Sequence, residues 1–181
     1  MHYLIGQVLG IAAAIASLIT PFFKKKWQML ANNILINLLV AFNFILIGEV
    51  GPAAGLCMVA AVQCVVSLVH TVKEKKPRAW ETLLFLALYL GFGFYGLISA
   101  PGFVWALNGR NLLETLPIIG ALCSMCFVFI RNEQKARWLL LATCSVWSLY
   151  MAIVGSTAFF AQFFSVVTTV TAMVRYRRKK A

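Results

Sequence analysis

Charge is what this sequence has least of. Only 12% of its 181 residues are charged, and its five acids are all glutamate. A soluble domain of this length carries about a quarter charged residues and is about half apolar. This chain is 62% hydrophobic, with a mean hydropathy of +0.88. A small globule cannot hide that much apolar surface, so the sequence predicts that lipid is its solvent.

The scarcity extends to catalytic groups. Glu49, Glu74, Glu81, Glu114 and Glu133 fall at or near the ends of apolar runs, and no Asp, Glu, Lys or Arg lies mid-run. That pattern predicts no proton relay through a buried carboxylate. It offers no acid/base pair and no Ser/His/Asp set, so no enzyme is expected. His2 and His70 lie near run edges and read as interfacial residues. The five cysteines lie inside apolar runs, where they are expected to pack as small hydrophobes. "CSMC" (123–126) has no second pair and no nearby histidine, and "GFGFYG" (91–96) follows no strand. Neither a metal nor a cofactor is expected.

What is present is a series of seven apolar runs, at 3–23, 28–48, 52–72, 80–98, 113–130, 138–155 and 157–174. A helix needs about twenty apolar residues to cross a bilayer, and these runs lack the alternation of barrel strands. An all-α integral membrane protein of seven transmembrane helices is therefore expected, the first run being an uncleaved span rather than a signal peptide. Pro52 and Pro117 are expected in the first turns of their helices, and Pro21 is expected to kink or end the first.

The gaps alternate in charge. "KKKWQ", "KEKKPR", "RNEQKAR" and the tail "RYRRKK" are basic; "GEVG" and "GSTA" have no base, and the long fourth gap has only Arg110. Fifteen of the sixteen Lys and Arg thus fall on one side. Positive residues face the cytoplasm, which predicts an N-terminus outside and a C-terminus inside. The basic tail is expected to meet anionic lipid headgroups, not nucleic acid. Trp27, Trp80, Trp105 and Trp138 lie at run edges, as an interfacial belt does.

Sliding the chain by 107 residues aligns runs one to three with runs five to seven: Ser17 meets Ser124, Gly48 meets Gly155, Ala54 meets Ala161, and Lys24 meets Arg131. Loop lengths and charge signs agree as well. The sequence predicts two parallel three-helix units, at 1–76 and 112–174, joined by a linker helix and outer loop at 77–111, with a basic tail at 175–181. Such a 3+1+3 repeat is a transporter architecture.

"LLETLPIIGALCS" (112–124), "VWSLYMAIVGS" (146–156) and "LIGEVGPAAG" (46–55) resemble the YgjV-type family of bacterial inner-membrane proteins, over nearly the whole chain. That resemblance implies a bacterial inner-membrane location. More remotely, "IGQVLGIAAAIASLITPFFK" is similar to the first helix of the SWEET and PQ-loop superfamily, with Pro21 on its proline and Phe22 where glutamine is usual. The superfamily's midplane asparagine has no counterpart in run three or run seven.

The remaining candidates are neutral. Asn33 and Asn37 share one helix face, Gln63 is central in run three, Trp147 and Tyr150 lie in run six, and Gln162 in run seven. Amides and aromatic rings suit a neutral hydroxylated or amphipathic solute. Pro21, Gly6 and Gly10 are candidate hinges. The spacings "GQVLG" and "GPAAG" allow close helix approach. The expected activity is alternating-access movement of an unidentified small neutral solute. The competing expectation is a non-transporting scaffold, lipid-binding or assembly protein. A monomer and a homodimer both remain open.

Overall fold

The computed structural model describes residues 2–20, 23, 25–49, 51–75, 78–100, 103, 105, 108–129 and 133–178, without the side chains of 26, 126–129, 133–137, 140 and 172–178. Pro21, Lys24, Arg131 and the tail side chains from 175 onward lie outside the described residues. Among the described residues there are seven α-helices and no strand: α1 (His2–Ile19), α2 (Lys26–Ile47), α3 (Pro52–Val72), α4 (Ala79–Ser99), α5 (Gly109–Phe129), α6 (Glu133–Val154) and α7 (Phe159–Arg178). Helices α1 to α4 contain stretches long and apolar enough to cross a bilayer, whereas Leu141–Val154 and Phe159–Thr171 are shorter apolar stretches.

The packing is small-inside, large-outside. On α1, Gly6, Gly10, Ala13, Ala14 and Ala16 are buried, while Tyr3, Leu4, Val8, Ile11 and Ile15 are exposed. Helices in lipid gain nothing from burying large apolar groups against one another, so small residues bring backbones together and large ones face outward. Gly6 lies against Ile47 and Leu46 of α2, and Gly10 against the α6–α7 turn at Thr157 and Ala158. Both candidate hinge glycines are thus close-packing positions.

Neighbours in sequence pack side by side, α1 on α2, α2 on α3, α5 on α6 and α6 on α7. Two further contacts, α1 on α7 and α3 on α5, close these six helices into a ring. Helix α4 packs on α3 and α5 at their seam. It is tied to α3 at three heights. Gly96 abuts the Pro52 backbone, Tyr89 donates its hydroxyl to Gln63 Oε1 at 2.6 Å, and His70 Nε2 lies 2.9 Å from Glu81 Oε2.

Local sequence sets the helix ends. Pro52 occupies the first position of α3 behind Gly51, as expected. Pro117 does not lie in the first turn of its helix, because α5 starts earlier than its apolar run. Asn108 caps it, accepting the Asn111 amide on its side chain at 2.7 Å and the Leu112 amide on its carbonyl at 3.0 Å. Pro117 is therefore inside α5, fully buried.

Two turns share one geometry. After α2, Gly48 has φ +83°, its amide reaches the Ile45 carbonyl at 3.3 Å, and Glu49 reaches Phe44 at 3.0 Å. After α6, Gly155 has φ +75°, its amide reaches Ala152 at 3.3 Å, and Ser156 reaches Met151 at 3.0 Å. Each is a glycine in the left-handed region closing a helix end, where any side chain would be strained. Every residue of the second turn stands 107 positions after its counterpart in the first.

Candidate functional site: a central cavity and two docked turns

Inside the ring lies a cavity of about 410 Å³ to which all seven helices contribute. Its wall includes Ser17 of α1 and Thr20 just after it, Asn33 and Asn37 of α2, Cys57 of α3, Tyr89 of α4, Ser124 of α5, Trp147 of α6 and Gln162 of α7. Among the described residues the lining contains no Asp, Glu, Lys, Arg or His. It reaches the bundle end at which α1 finishes and α2 begins, where Thr20 and the exposed Met29 lie. That end carries Lys25.

Four of the six expected site residues meet at this wall: Asn33, Asn37, Trp147 and Gln162. Asn37 Nδ2 donates to the Asn33 carbonyl at 2.8 Å, which leaves its amide oxygen able to accept. Trp147 fits because its neighbour on α5 is Gly120, where an added Cβ would lie 2.7 Å from the indole nitrogen. Thr143 Oγ1 is buried at the wall without a hydrogen-bond partner. A buried hydroxyl in that state costs roughly 1–3 kcal/mol relative to a paired one, so the wall is poised to accept a polar ligand or water.

Two expected residues stand elsewhere. Gln63 is not on the wall; its carbonyl oxygen holds the hydroxyl of Tyr89, which is. Tyr150 is fully buried behind Trp147, with ring centroids 6.2 Å apart and nearly perpendicular planes. Tyr89, Thr143, Cys57 and Cys144 are lining residues that sequence reasoning did not single out. Cys144 could have been found, since it stands 107 positions after Asn37.

Beyond the other end of the cavity lie two docked turns, whose residues do not line it. In the first, α1 meets the α6–α7 turn. Gln7 Nε2 donates to the Gly155 carbonyl and Gln7 Oε1 accepts from the Thr157 amide, both at 2.9 Å. Thr157 Oγ1 donates to the Gln7 carbonyl at 2.7 Å. Asn43 of α2 donates to the Gly6 carbonyl at 2.7 Å and accepts from Ser156 Oγ. Every side chain in this set is neutral and paired.

In the second, α5 meets the α2–α3 turn. Glu114 is 2% exposed, with Glu49 and Arg110 in electrostatic reach of its carboxyl. Its Oε2 lies against Gly51 and has no hydrogen-bond partner; nor has the buried Tyr150 hydroxyl, whose electrostatic neighbours are Glu114 and Glu49. The expectation that no titratable group is buried thus fails at Glu114. The physical reason is the Asn108 cap, which starts α5 early enough to carry Glu114 into the bundle. The 107-residue offset could have flagged it, because it sets Glu114 on Gln7, Tyr150 on Asn43 and Glu49 on Ser156.

Apolar helices closed round a polar cavity define a multi-pass membrane protein. The sequence profile of the Imp-YgjV family, described as bacterial inner membrane protein, matches residues 4–180, and the chain belongs to that family. No curated protein matches the chain. No solved structure matches it either.

Proposed function

We propose that this protein moves a small neutral solute across the bacterial inner membrane by alternating access, with α1–α3 and α5–α7 as two parallel three-helix units joined by α4. The observation that carries this reading is the cavity of about 410 Å³, within the usual range for small-molecule sites. Its unpaired amides and hydroxyls, beside the Trp147 ring, suit a hydroxylated solute. An uncharged wall favours facilitated movement of an uncharged cargo. The two-unit reading draws support from the paired turns and from the ring contacts, since exchanging α1–α3 with α5–α7 turns the α1–α7 contact into the α5–α3 contact. This is the 3+1+3 pattern of SWEET-type carriers. With the basic end taken as cytoplasmic, the cavity faces inward and the two docked turns form the closed outer gate.

The test is thermal unfolding of the purified protein against sugars, polyols, amino acids, nucleosides and lipids. A ligand at a hundred times its dissociation constant should stabilise a two-state protein by about 2.7 kcal/mol. One water-soluble class is expected to raise the melting temperature, and the rise should vanish in Asn37→Leu and Trp147→Ala variants that still fold. Liposome flux of the same class should vanish with it. Stabilisation by lipids alone would overturn the carrier reading in favour of a lipid-binding scaffold.

A further inference from the structure

The outer face of the bundle carries a second hollow, a crease of about 380 Å³ between α2, α3 and α4. Every described residue on its wall is apolar, with Ile34 and Leu38 from α2, Val62 and Val65 from α3, and Leu88 and Phe92 from α4. Apolar side chains lead from it to the basic end of the bundle. On α3, Val62, Val65, Val69 and Val72 are exposed at helical spacing. On α4, Phe92, Leu84 and Trp80 are exposed in the same way, with Leu88 half-buried among them. The exposed Trp27 stands on the α2 face that carries Ile34. Just past Val72 and just before Trp80 come Lys73, Lys75 and Arg78, all exposed. We propose that this crease binds an anionic phospholipid of the leaflet on the basic side, with one acyl chain in the crease and the headgroup phosphate on Lys73, Lys75 and Arg78. The inference goes beyond the carrier reading and does not depend on it.

The depth suits a chain from that leaflet. Helix α3 ends at Val72. At about 1.5 Å per residue, the crease runs from about 10 Å below that end, at Val65, to about 21 Å, at Met58. One leaflet's share of the hydrocarbon core is about 15 Å. Phe92 leans on Gly55, where an added Cβ would lie 3.3 Å from its ring, and marks the far end. The indoles of Trp27 and Trp80 flank the mouth, and amphipathic rings gather at the headgroup level. The charge at the mouth selects the lipid. Glu81 is engaged by His70 at 2.9 Å, and among the described residues no ion pair involves Lys73, Lys75 or Arg78. Bases so placed favour an anionic headgroup over a zwitterionic one with the same chains. A second copy of this chain fits less well. Two copies meeting here about an axis along the membrane normal would set these three bases against their own counterparts, and like charges oppose that contact.

The test is native mass spectrometry of the delipidated full-length protein, titrated in detergent with dioleoylphosphatidylglycerol or dioleoylphosphatidylcholine. The two lipids share their acyl chains and differ in headgroup charge. Melting temperatures in lipid-free detergent show which variants fold. The wild type is expected to bind one phosphatidylglycerol at least about tenfold more tightly than phosphatidylcholine. Lys73→Gln, Lys75→Gln and Arg78→Gln together should bring the two lipids level. Val62→Trp fills the crease from its exposed side and should weaken both lipids at least about tenfold; Val65→Phe carries that readout if the first variant fails to fold. Arg177→Gln, Arg178→Gln, Lys179→Gln and Lys180→Gln, all in the tail, should leave the preference intact. Equal wild-type affinities, a preference that survives the loop substitutions or is lost with the tail ones, or binding that ignores a filled crease overturns the proposal. So does a dimer that dissociates when the crease is filled, which would make this face an interface between copies. Loss of this site leaves the carrier reading standing, because no solute enters the measurement. A protein that holds the lipid here yet moves no solute would sink the carrier reading alone.

Discussion

Helices α1 and α5 dock into turns of one shape at the same end of the bundle, but one docks with an amide and the other with an acid. Around Gln7 every donor finds an acceptor: Gly155, Thr157, Asn43 and Ser156 close a neutral network. Around Glu114 the equivalent positions hold Glu49 and Tyr150, and two buried oxygens are left over. The backbone fixes where the helices meet, and the side chains decide whether the meeting is unconditional. A paired amide holds at any pH. A buried acid with an unpartnered oxygen lacks that closure.

Substitutions can break or sharpen this contrast. The largest effect is expected from Asn43→Leu. It strands the Ser156 hydroxyl and removes the donor to Gly6, at a cost of about 2–4 kcal/mol measured by denaturant or thermal unfolding in detergent. A negligible cost would mean that the first turn is held by packing alone. Gly51→Ala comes next. The new methyl collides with the Glu114 carboxyl, and overpacking of this kind costs about 1–3 kcal/mol. The loss should shrink towards zero in a Glu114→Ala background. A loss unchanged in the double variant would show that the glycine serves the backbone and not the acid. Gly48→Ala and Gly155→Ala should each cost about 1 kcal/mol, because both force a side chain into the left-handed region. Unequal costs would deny that the two turns are equivalent. Tyr150→Phe should change stability least, since the hydroxyl it removes has no partner. A cost like that of Asn43→Leu would erase the distinction between the two sites.

Much of this is legible in the sequence. Glycine punctuation, apolar runs and the alternating lysine gaps mark seven helices, and the 107-residue offset marks the two matching turns. Asn33, Asn37, Trp147 and Gln162 are polar or amphipathic residues inside apolar runs, and such residues turn inward, which is why they meet at one cavity. What sequence could not supply was partnership between helices. Periodicity gives a residue's face and not the atom it will meet. Gln63 is central in its run, yet it is taken by Tyr89 from a helix 26 residues away. Tyr150 is near Trp147 along the chain, yet it points behind the wall. Glu114 looked like a helix-end acid because the hydrophobic run begins at its neighbour, while the polar cap at Asn108 begins the helix itself.

The three ties between α3 and α4 give the molecule an uneven stiffness. Pinned at Gly96, Tyr89 and Glu81, α4 acts as a splint along α3. A splinted beam swings whole or not at all. Helix α7, 107 residues on from α3, has no added helix along it among the described residues and is held by α6 and by α1, through the Gln7 network and the Ser17 hydroxyl on the Ala161 carbonyl. Helix α3 with α4 is the two-helix post of the frame. Because α4 shows most of its surface to lipid, a change in bilayer thickness or lateral pressure would be felt first at the post, and carried by it to the cavity wall at Tyr89.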